Sequence, residues 1–433
     1  MSFSAGALPV RWVCTAAVFC LFSNASAQDA TKPLTLELAL QAVSTPHPDL
    51  QIAEAERDIA LADRSFASAR SDFSVNFEGR LQGAKSSLPD ATFRADNGVR
   101  LLARKNLYDF GRTSNNVDAA SSIADARERS LLETRDLRRI DIMTRFFDVL
   151  LVDLQYVQDD EFMTVAFLEF DRARDNFNQQ LLAQTDLSEL EARFQNLRAR
   201  RSQTQLLQRL NREFLADAMN QPGQLANELV DPPLPGNDLP LPSFEMLQPI
   251  LAQSPRVLNS QKLLEASRQR IEALRADNKP SLDAEFEAGE YPNRKLQGRD
   301  ELRAGVVLSW PIYQGNRNTA QVAREQAQFY KLQAEAEKTK RNVAQTALRL
   351  LLEADQLQRA ARNAAKFQVS FTDLALERAR ALYEVELRTN LGASAAATIA
   401  AKLQQRNVEY QLALNLARLE ALLGQPLPKA DKK

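Results

Sequence analysis

The sequence consists of two similar halves, and each half contains an unusually long stretch without a helix-breaking residue. Neither glycine nor proline occurs in residues 112–221 or in residues 316–391. Upstream of these stretches the halves align without gaps at an offset of about 207, which pairs Pro48 with Pro255. Self-similarity of this kind predicts a duplicated structural unit.

A similar turn precedes each long stretch and includes Tyr108 and Gly111 in the first half, and Pro311, Tyr313 and Gly315 in the second. Each turn follows two segments in which apolar and polar residues alternate, at about 73–83 and 97–108, then at about 281–291 and 301–311. Alternation with a period of two predicts β-strands with one apolar face. A half-buried sheet of a soluble domain would show the same pattern.

The stretches themselves predict helices of exceptional length. From Gly111 to about Gln180 the chain could form a rod of about 105 Å. Apolar stripes at helical spacing occur in both copies, around Phe146 in the first and Leu350 in the second. Shorter helices, from about Asp186 to Met219 and from about Ser394 to Leu423, are expected to fold back as antiparallel hairpins.

These features divide the chain into five segments. Residues 1–27 have the short apolar core and the small-residue cleavage site of a signal peptide, and they hold both cysteines. The first repeat follows at 28–221, with a proline-rich connector at 222–242. The second repeat extends over 243–426, and a polar tail over 427–433. A membrane anchor is the alternative interpretation of the first segment.

Charge and hydropathy limit the possible partners. The formal net charge of -1 provides no basic field for nucleic acid. After the signal segment no apolar run reaches the roughly 20 residues of a membrane-spanning helix. The exported protein is therefore expected either to remain soluble or to cross an outer membrane as strands. Four strands cannot close a barrel, so strands facing lipid would require several chains.

The sequence contains no pattern that indicates catalysis. His47 is the only histidine, and we interpret it as a turn residue between Pro46 and Pro48. The acidic run Asp159-Asp160-Glu161 points in several directions on a helix, which predicts a solvated face instead of a metal site. No nucleophile elbow, zinc motif or phosphate loop is present. We expect neither enzymatic activity, nor a cofactor, nor a bound metal.

Three features together resemble the TolC family of outer membrane efflux proteins. They are the duplication, the turn Trp310-Pro311-Ile312-Tyr313-Gln314-Gly315 before a breaker-free helix, and Thr185-Asp186-Leu187 at the far end of the first hairpin. The resemblance implies a mixed, mostly α fold of internally duplicated long helical hairpins with four strands per chain. It also implies a homotrimer with a twelve-stranded β-barrel continuous with a periplasmic α-helical barrel.

The resemblance further implies a function and a location. The protein would be a trimeric outer-membrane exit duct of a tripartite efflux pump or a type I secretion system, a passive conduit for small molecules or polypeptides. Its mass would lie mostly in the periplasm. Its expected partners are outer membrane lipid, a periplasmic adaptor and an inner-membrane transporter of RND, ABC or MFS type. The alternative is a soluble periplasmic coiled-coil adaptor, which would need lipoyl-like segments.

In the family, polar links near the periplasmic tip hold the duct closed. Carried over by motif, the gate residues are Thr185, Asp186, Tyr383 and Arg388, with Asp186 bonded to Tyr383 and Thr185 near Arg388. Two departures accompany this expectation. Gln180 and Glu386 replace the glycines often present near the tips, and Gly392 and Ala395 stand where other members have acidic residues. We therefore expect a weaker cation-binding ring.

Overall fold

The computed structural model describes residues 33–85, 92–224, 226, 228–290, 302–384 and 391–428. The predicted signal segment 1–27, most of the predicted tail, and the gate residue Arg388 lie outside these ranges. Within them, no helix combines the length and the hydropathy that crossing a bilayer requires.

The first repeat begins with short helices whose ends are fixed by side-chain caps. Thr35 accepts the Leu38 N–H, and His47 is the N-cap of α2, where its Nδ1 accepts the Asp49 N–H at 3.2 Å. Pro48 occupies the first helical position, where its missing N–H costs nothing. The elements are α1 (Leu36–Gln41), a 3₁₀ turn (Ala42–Ser44), α2 (Pro48–Ala69), β1 (Phe73–Arg80), β2 (Gly83–Ala84), β3 (Arg94–Ala95), β4 (Gly98–Tyr108), α3 (Arg112–Asn178) and α4 (Gln184–Ala218).

The second repeat has the same order of long helices and principal strands. Ser243 caps its first helix, and Pro255 begins the next, as Pro48 does in the first repeat. The elements are α5 (Phe244–Leu251), α6 (Pro255–Ala276), β5 (Ser281–Glu290), β6 (Leu302–Ser309), α7 (Arg317–Gln356), a π-helical turn (Leu357–Ala361), α8 (Arg362–Glu384) and α9 (Leu391–Leu423). The connector contributes one 3₁₀ turn, Pro235–Asp238.

Two of the predicted strands differ from the observed ones at their ends. The single strand predicted at 73–83 is two strands in the structure, since β1 ends at Arg80 and β2 begins at Gly83. The segment predicted to reach 311 ends at Ser309. Pro311 has no N–H to donate to a neighbouring strand, and a strand is expected to end before such a residue.

The four long strands form one antiparallel sheet in the order β1-β4-β5-β6. Its register places Val75 opposite Ala103, Ala103 opposite Phe286, and Phe286 opposite Ala304. These residues share one face, because side chains alternate along each strand. The predicted separation into an apolar and a polar face is therefore observed, and β1 and β6 are left as free edges.

The helices repeat the order of the strands. Next to the sheet the contacts run α2–α3–α6–α7, and toward the hairpin tips they run α4–α3–α9–α8. Each of the four long strands is continuous in sequence with one of the helices α2, α3, α6 and α7, and we call the sheet with its two rows of helices the wall. In the described part of the chain α2 and α7 end one row and α4 and α8 end the other, so these four helices form the edges of the wall.

Two apolar cores lie where short helices cover the long ones near the middle of the wall. In the first, Ala39 and Ala42 pack on Ile142 and Phe146 of α3. In the second, Leu247 of α5 packs against residues of α7 and α9 that include Val343, Leu350 and Leu419. The stripes predicted around Phe146 and Leu350 are thus the surfaces on which α1 and α5 are buried.

The π-helical turn at Leu357–Ala361 was not predicted, because this stretch contains neither glycine nor proline. The connector lies against it. Gln358 donates to the carbonyls of Asn237 and Leu239 at 2.8 and 2.9 Å, and Arg362 donates to the Asp238 carboxylate at 2.6 Å. An extra residue in one helical turn rotates the following side chains. The turn therefore brings Gln358 and Arg362 together onto the connector.

Candidate functional site

The polar face of the sheet carries charges of both signs in close pairs. Arg100 binds Glu78 at 2.6 Å and lies 4.0 Å from Glu287 on the next strand. Arg104 pairs with Glu285, and Asn106 donates to Asp283 at 2.8 Å. These contacts join β1, β4 and β5 across the sheet. Over the whole face the signs balance, because Arg80 and Arg303 lie on it as well and bring the arginines to four, against the four carboxylates of Glu78, Asp283, Glu285 and Glu287.

The opposite face of the sheet is apolar and exposed. Phe77 is 72% exposed and Leu308 is 66% exposed, at opposite edges of the sheet. A soluble protein would bury large side chains in such numbers. The other exposed apolar side chains on this face include Phe73, Val75, Val99, Leu101, Phe286, Leu302 and Val306. The face is suited to contact lipid.

The turns between sheet and helices have the same backbone geometry in both repeats. Phe110 and Gly111 have φ values of 55° and 86°, and Gly315 and Asn316 have 61° and 59°. Two consecutive left-handed residues form the turn that joins strand to helix before α3 and α7, and glycine adopts this conformation without strain. The predicted turn residues Gly111 and Gly315 are therefore explained.

Aromatic side chains surround these turns. The ring of Tyr108 lies 4.7 Å from that of Phe110, and Tyr313 is 82% exposed beyond Pro311. Asp109 is a further residue of the site that the sequence reasoning missed. Its buried carboxylate accepts the Thr113 N–H at 2.9 Å and caps α3. The sequence signal that could have identified this contact is an aspartate four residues before a threonine in the first turn of a predicted helix.

The free edges of the wall carry apolar stripes. On α4 the stripe is Leu206, Leu210 and Phe214, and on α8 it is Phe367, Phe371 and Leu374. Contacts between the helices place both stripes at the same level along the wall. Asp153 of α3 binds Arg212 of α4, Phe147 of α3 stacks on Tyr410 of α9, and Glu409 of α9 binds Arg362 of α8. On α2 a third stripe contains Ile52, Ile59 and Phe66.

A polar network fixes the connector across the second hairpin, α8–α9. The hydroxyl of Tyr410 donates to Asp231 at 2.7 Å, and Arg406 binds the same carboxylate at 2.6 Å. Burial, followed by this hydrogen bond to Asp231, raises the pKa of Tyr410 far above its usual value. Asn237, which is fully buried, donates to the Glu409 carbonyl at 2.9 Å. The connector therefore binds the second hairpin at the end that is far from its tip.

The predicted gate residues of the first hairpin, α3–α4, lie at its tip. Thr185 and Asp186 occupy the first turn of α4, where the Thr185 hydroxyl donates to Asp186 at 3.3 Å. Tyr383 lies near the end of α8 and is 64% exposed, and Arg388 is outside the described residues. The geometry leaves Asp186 and Tyr383 accessible to a neighbouring hairpin.

Of the departures noted near the tips, Gln180 and Gly392 can be described, whereas Glu386 lies outside the described residues. Gln180 has φ 63°, so it adopts the left-handed conformation that a glycine would favour. Leu181 N–H bonds to the Asn176 carbonyl at 2.9 Å and closes the helix end. A Cβ on Gly392 would lie 2.3 Å from Val165 Cγ2. A side chain at position 392 would therefore point into α3, which identifies a helix contact as the reason for the glycine.

The acidic run at 159–161 corrects one expectation. Asp159 is 1% exposed and does not belong to a solvated face. It accepts hydrogen bonds from Thr204 at 2.6 Å and Gln155 at 3.0 Å, and it pairs with Arg200 at 2.9 Å. Asp159 faces α4, and the sequence spacing of the acidic residues on α3 does not indicate which side of that helix α4 packs against. No group of three metal-binding side chains occurs in the described part of the chain.

Residues 246–425 match the family model described as outer membrane efflux protein. Among curated proteins, none matches the sequence.

Several solved structures share the fold over nearly the whole chain. A crystal structure of CusC has a TM-score of 0.73 at 18% identity, covering 98% of this chain and 99% of CusC. The outer membrane protein VceC from Vibrio cholerae has 0.71 at 17% identity, covering 91% of this chain and 97% of VceC. The CmeC outer membrane channel of Campylobacter jejuni has 0.74 at 14% identity, covering 92% and 87%. At such identities the likeness establishes the fold.

Proposed function

We propose that this chain forms a trimeric exit duct, because residues 246–425 match the outer membrane efflux protein model and the chain has the fold of solved outer membrane channels. The duct is the outer-membrane component of a tripartite efflux pump or a type I secretion system. It conducts small molecules or polypeptides passively. The mass below the sheet lies in the periplasm.

The observation that carries this proposal is the open sheet with an apolar exposed face. An open edge in lipid would leave N–H and C=O groups without partners. Both β1 and β6 are such edges. Pairing β6 of one copy with β1 of the next removes every edge once the ring closes, and three copies of four strands give a barrel large enough for an aqueous interior.

The helical part supports the same assembly. The stripes on α4 and α8 occur at the same height on opposite edges of one chain, so α8 of one copy can cover α4 of the next. Burying Phe214, Phe367 and Phe371 in this way stabilises the ring by about 1.5–3 kcal/mol for each side chain that is fully buried. The same rotation that pairs the strands therefore also buries the helix edges, which favours a closed ring over a soluble coiled-coil adaptor.

The paired charges on the sheet suit the interior of such a duct. A barrel interior is hydrated, and the ion pairs between Arg100 and Glu78 and between Arg104 and Glu285 lie on the face that would line it. Because each pair is locally neutral, the upper part of the passage would admit solutes of either charge. This is suited to an exit whose selectivity lies in its partners.

We place the gate at the hairpin tips. Asp186 would bond Tyr383, and Thr185 would meet Arg388, on neighbouring hairpins. Each link would contribute about 0.5–3 kcal/mol, which a partner could overcome on binding. A periplasmic adaptor would contact the tips, and an inner-membrane transporter of RND, ABC or MFS type would supply the energy that a passive duct lacks.

Fractionation tests the assembly. We expect the protein in the outer membrane, and chemical crosslinking of that fraction should give a trimer. A periplasmic monomer would reject the duct and favour the soluble alternative.

Single-channel recording in planar bilayers tests the gate. Replacing Asp186 and Arg388 together with alanine should raise conductance, because two links between neighbouring hairpins are lost. The matched control is the exposed pair Glu337 and Arg341 on α7, which are 3.4 Å apart and far from the tip. Equal conductance of wild type and the tip variant would reject these gate residues while leaving the duct intact.

A further inference from the structure

The apolar stripe on α2 has the spacing of a coiled-coil helix, and the proposed pairing of α4 with α8 leaves it uncovered. Ile52, Ile59 and Phe66 recur every seven residues and are 60%, 62% and 82% exposed. Ala55 and Ala62 lie between them and are exposed as well. Exposed apolar residues thus follow one another at intervals of three and four, which is typical of a helix that packs along a second helix.

The internal repeat contains a contact that is equivalent to the missing one. In the row α2–α3–α6–α7, α3 packs against α6 within the chain, whereas α2 and α7 are the ends of the row. Helix α6 corresponds to α2 at the offset of 207, and α7 corresponds to α3 at an offset of 205, which pairs Gly111 with Asn316. The contact between α3 and α6 is therefore the counterpart of a contact between α7 of one copy and α2 of the next.

Polar contacts show which side of α6 faces α3. Asn259 of α6 donates to the Ser130 hydroxyl at 3.0 Å, and Lys262 pairs with Asp125 at 3.5 Å. Ala266 follows Asn259 by seven residues on the same side of α6, and it is buried. The equivalent residues of α2 all belong to the apolar side of that helix. They are Ile52, Ala55 and Ile59.

The side of α7 that corresponds to the α6-facing side of α3 carries small residues. Tyr330 of α7 is the counterpart of Asp125 and is 67% exposed. Exposed alanines lie on the same side at intervals of three, four and seven residues. They are Ala320, Ala323, Ala327 and Ala334. Large side chains on α2 and alanines on α7 can interlock, because each large side chain finds space between the small ones.

One charged contact carries over with its signs exchanged. Within the chain, Arg256 of α6 binds Glu133 of α3 at 2.5 Å. The counterparts of these residues are Asp49 of α2 and Lys338 of α7. The Asp49 side chain is 65% exposed, and in the described ranges no carboxylate forms an ion pair with Lys338. The edges of two copies are therefore complementary in charge as well as in size.

A second charged contact does not carry over, and it marks the end of the matching surface nearest the sheet. Arg112 lies 3.6 Å from Asp277, just beyond the end of α6. The counterparts of these two residues are Arg317 and Arg70, which are both cationic. The matching surface consequently extends over about 49–66 of α2 and 320–338 of α7.

We infer that α2 of each copy packs against α7 of the next in one defined register, with Tyr330 over Ala55 and Lys338 bound to Asp49. The inference rests on the proposed trimeric duct and names the side chains that join its copies beside the sheet. Each chain contributes one α2 and one α7, so three identical contacts close the ring.

Oxidative crosslinking of a cysteine pair tests the register. Both natural cysteines lie in the predicted signal segment, so engineered thiols would be the only ones in the exported protein. Ile52→Cys with Glu335→Cys occupies the counterparts of Asn259 and Ser130. Oxidation should join copies into dimers and trimers on a denaturing, non-reducing gel. Variants with only one of the two cysteines should remain monomeric on that gel.

The matched control is Ile52→Cys with Gln333→Cys. Gln333 is exposed and lies two residues from Glu335, on nearly the opposite side of α7, because each residue of a helix turns the chain by about 100°. Its thiol should react with a small maleimide as readily as that of Glu335→Cys. Oxidation of this pair should yield at least about tenfold less linked protein, since a disulfide requires close approach of the two Cβ atoms.

Dissociation of the purified trimer at low salt tests the charged contact. Lys338→Glu places a second negative charge beside Asp49 and should accelerate dissociation by about 3–10-fold. Lys340→Glu makes the same charge change on the other side of α7 and should leave the rate unchanged. Adding Asp49→Asn to Lys338→Glu removes the repulsion and should slow dissociation again.

Two results would overturn the inference and leave the duct standing. One is a trimer, identified by native mass spectrometry, in which Ile52→Cys with Glu335→Cys forms no link between copies. The other is equal linking by the Gln333 control, which would place α2 and α7 in a different register. A protein that is monomeric before oxidation would reject the proposed duct together with this contact.

Discussion

The hairpins α3–α4 and α8–α9 occupy matching places in the two repeats, but different contacts hold their helices together. In the first hairpin Arg212 binds both carboxylate oxygens of Asp153, at 2.9 and 2.8 Å, and Arg193 binds Glu169 at 2.8 Å. Between these pairs lies the buried Asp159. Directional, charged contacts therefore recur along most of the first hairpin.

The second hairpin is packed through small side chains. Ala365, Ala379, Ala396 and Ala401 are buried between or beside its helices. Its main polar contacts lie at the upper end, where Arg362 binds Glu409 at 2.6 Å beside the connector. Small side chains allow close approach without fixing a register, whereas paired charges fix one. We therefore expect the lower part of α8–α9 to open more readily than α3–α4.

The largest effect is expected from Asp159→Ala. Asp159 is buried and holds Thr204, Gln155 and Arg200, so its removal leaves α4 groups without partners. Local opening of α3–α4 should become easier by about 2–4 kcal/mol, measured by hydrogen exchange of the folded protein.

Arg200→Ala is the matched control for this change. In Arg200→Ala the Asp159 carboxylate keeps its hydrogen bonds from Thr204 and Gln155 and loses only a pair whose arginine is 51% exposed, so this change should cost less than Asp159→Ala. Equal costs for the two variants would show that the pair, and not the buried carboxylate, stabilises the first hairpin.

A smaller effect, about 1–3 kcal/mol, is expected from Gly392→Ala, which adds a methyl group where α9 touches α3. The new Cβ would lie 2.3 Å from Val165 Cγ2, so the start of α9 must move away. Hydrogen exchange near the start of α9 should accelerate while exchange in α4 remains unchanged.

The double variant Gly392→Ala with Val165→Ala provides the rescue. Removing the two Cγ atoms of Val165 makes room for the new methyl group, so the double variant should exchange more slowly than Gly392→Ala alone. No rescue would mean that backbone conformation, not the contact with Val165, requires the glycine.

A third, weaker test concerns Thr398, whose hydroxyl donates to the Thr372 carbonyl on the facing helix at 3.2 Å. Thr398→Val keeps the shape and removes this contact, at a cost of about 0.5–1.5 kcal/mol in opening of α8–α9. Thr144→Val is the control, because the Thr144 hydroxyl bonds to Ile140 within its own helix, at 2.8 Å. A larger effect at position 144 would contradict a stabilising role between helices for Thr398.

The sequence predicted the features that depend on repetition and spacing. Alternation identified the two faces of the sheet, and the absence of helix breakers identified α3 and most of α7–α8. The turn residues Gly111 and Gly315 were recognisable because a left-handed backbone selects glycine. These features are local, so a single sequence is enough to identify them.

Features that depend on contacts between distant segments could not be predicted. The π-helical turn at Leu357–Ala361 coincides with docking of the connector, and nothing in its own residues indicates it. The buried state of Asp159 depends on where α4 crosses α3. Arg138 is a similar case, since it is buried and donates to the carbonyls of Ala42 and Ala218 at two helix ends. Its counterpart at an offset of 205 is Val343, in the apolar core.

The smallest expected effect is a pH-dependent change in stability. It should occur at Asp148 of the first repeat but not at Glu353, the residue that stands at the corresponding position of the second repeat at the same offset of 205. Burial raises the pKa of Asp148. The nearby charge of Arg145 lowers this pKa only in part, and the charge of Asp141 raises it further. Glu353 instead has Asn415 Nδ2 within 3.5 Å of its carboxylate. Charge at position 148 therefore opposes folding, whereas the amide of Asn415 can hydrogen-bond to Glu353.

The sign of the pH effect follows from the direction of this shift. A carboxyl whose pKa is higher in the folded state stabilises the fold at pH values below its unfolded pKa of about 3.9, and the benefit is lost as pH rises through the folded pKa. Asp148→Asn should therefore stabilise the folded protein at pH 7, by about 0.5 kcal/mol, and have no effect near pH 3. Thermal unfolding at the two pH values measures it. Glu353→Gln should give no such gain at pH 7, and a gain equal to that of Asp148→Asn would remove this difference between the repeats.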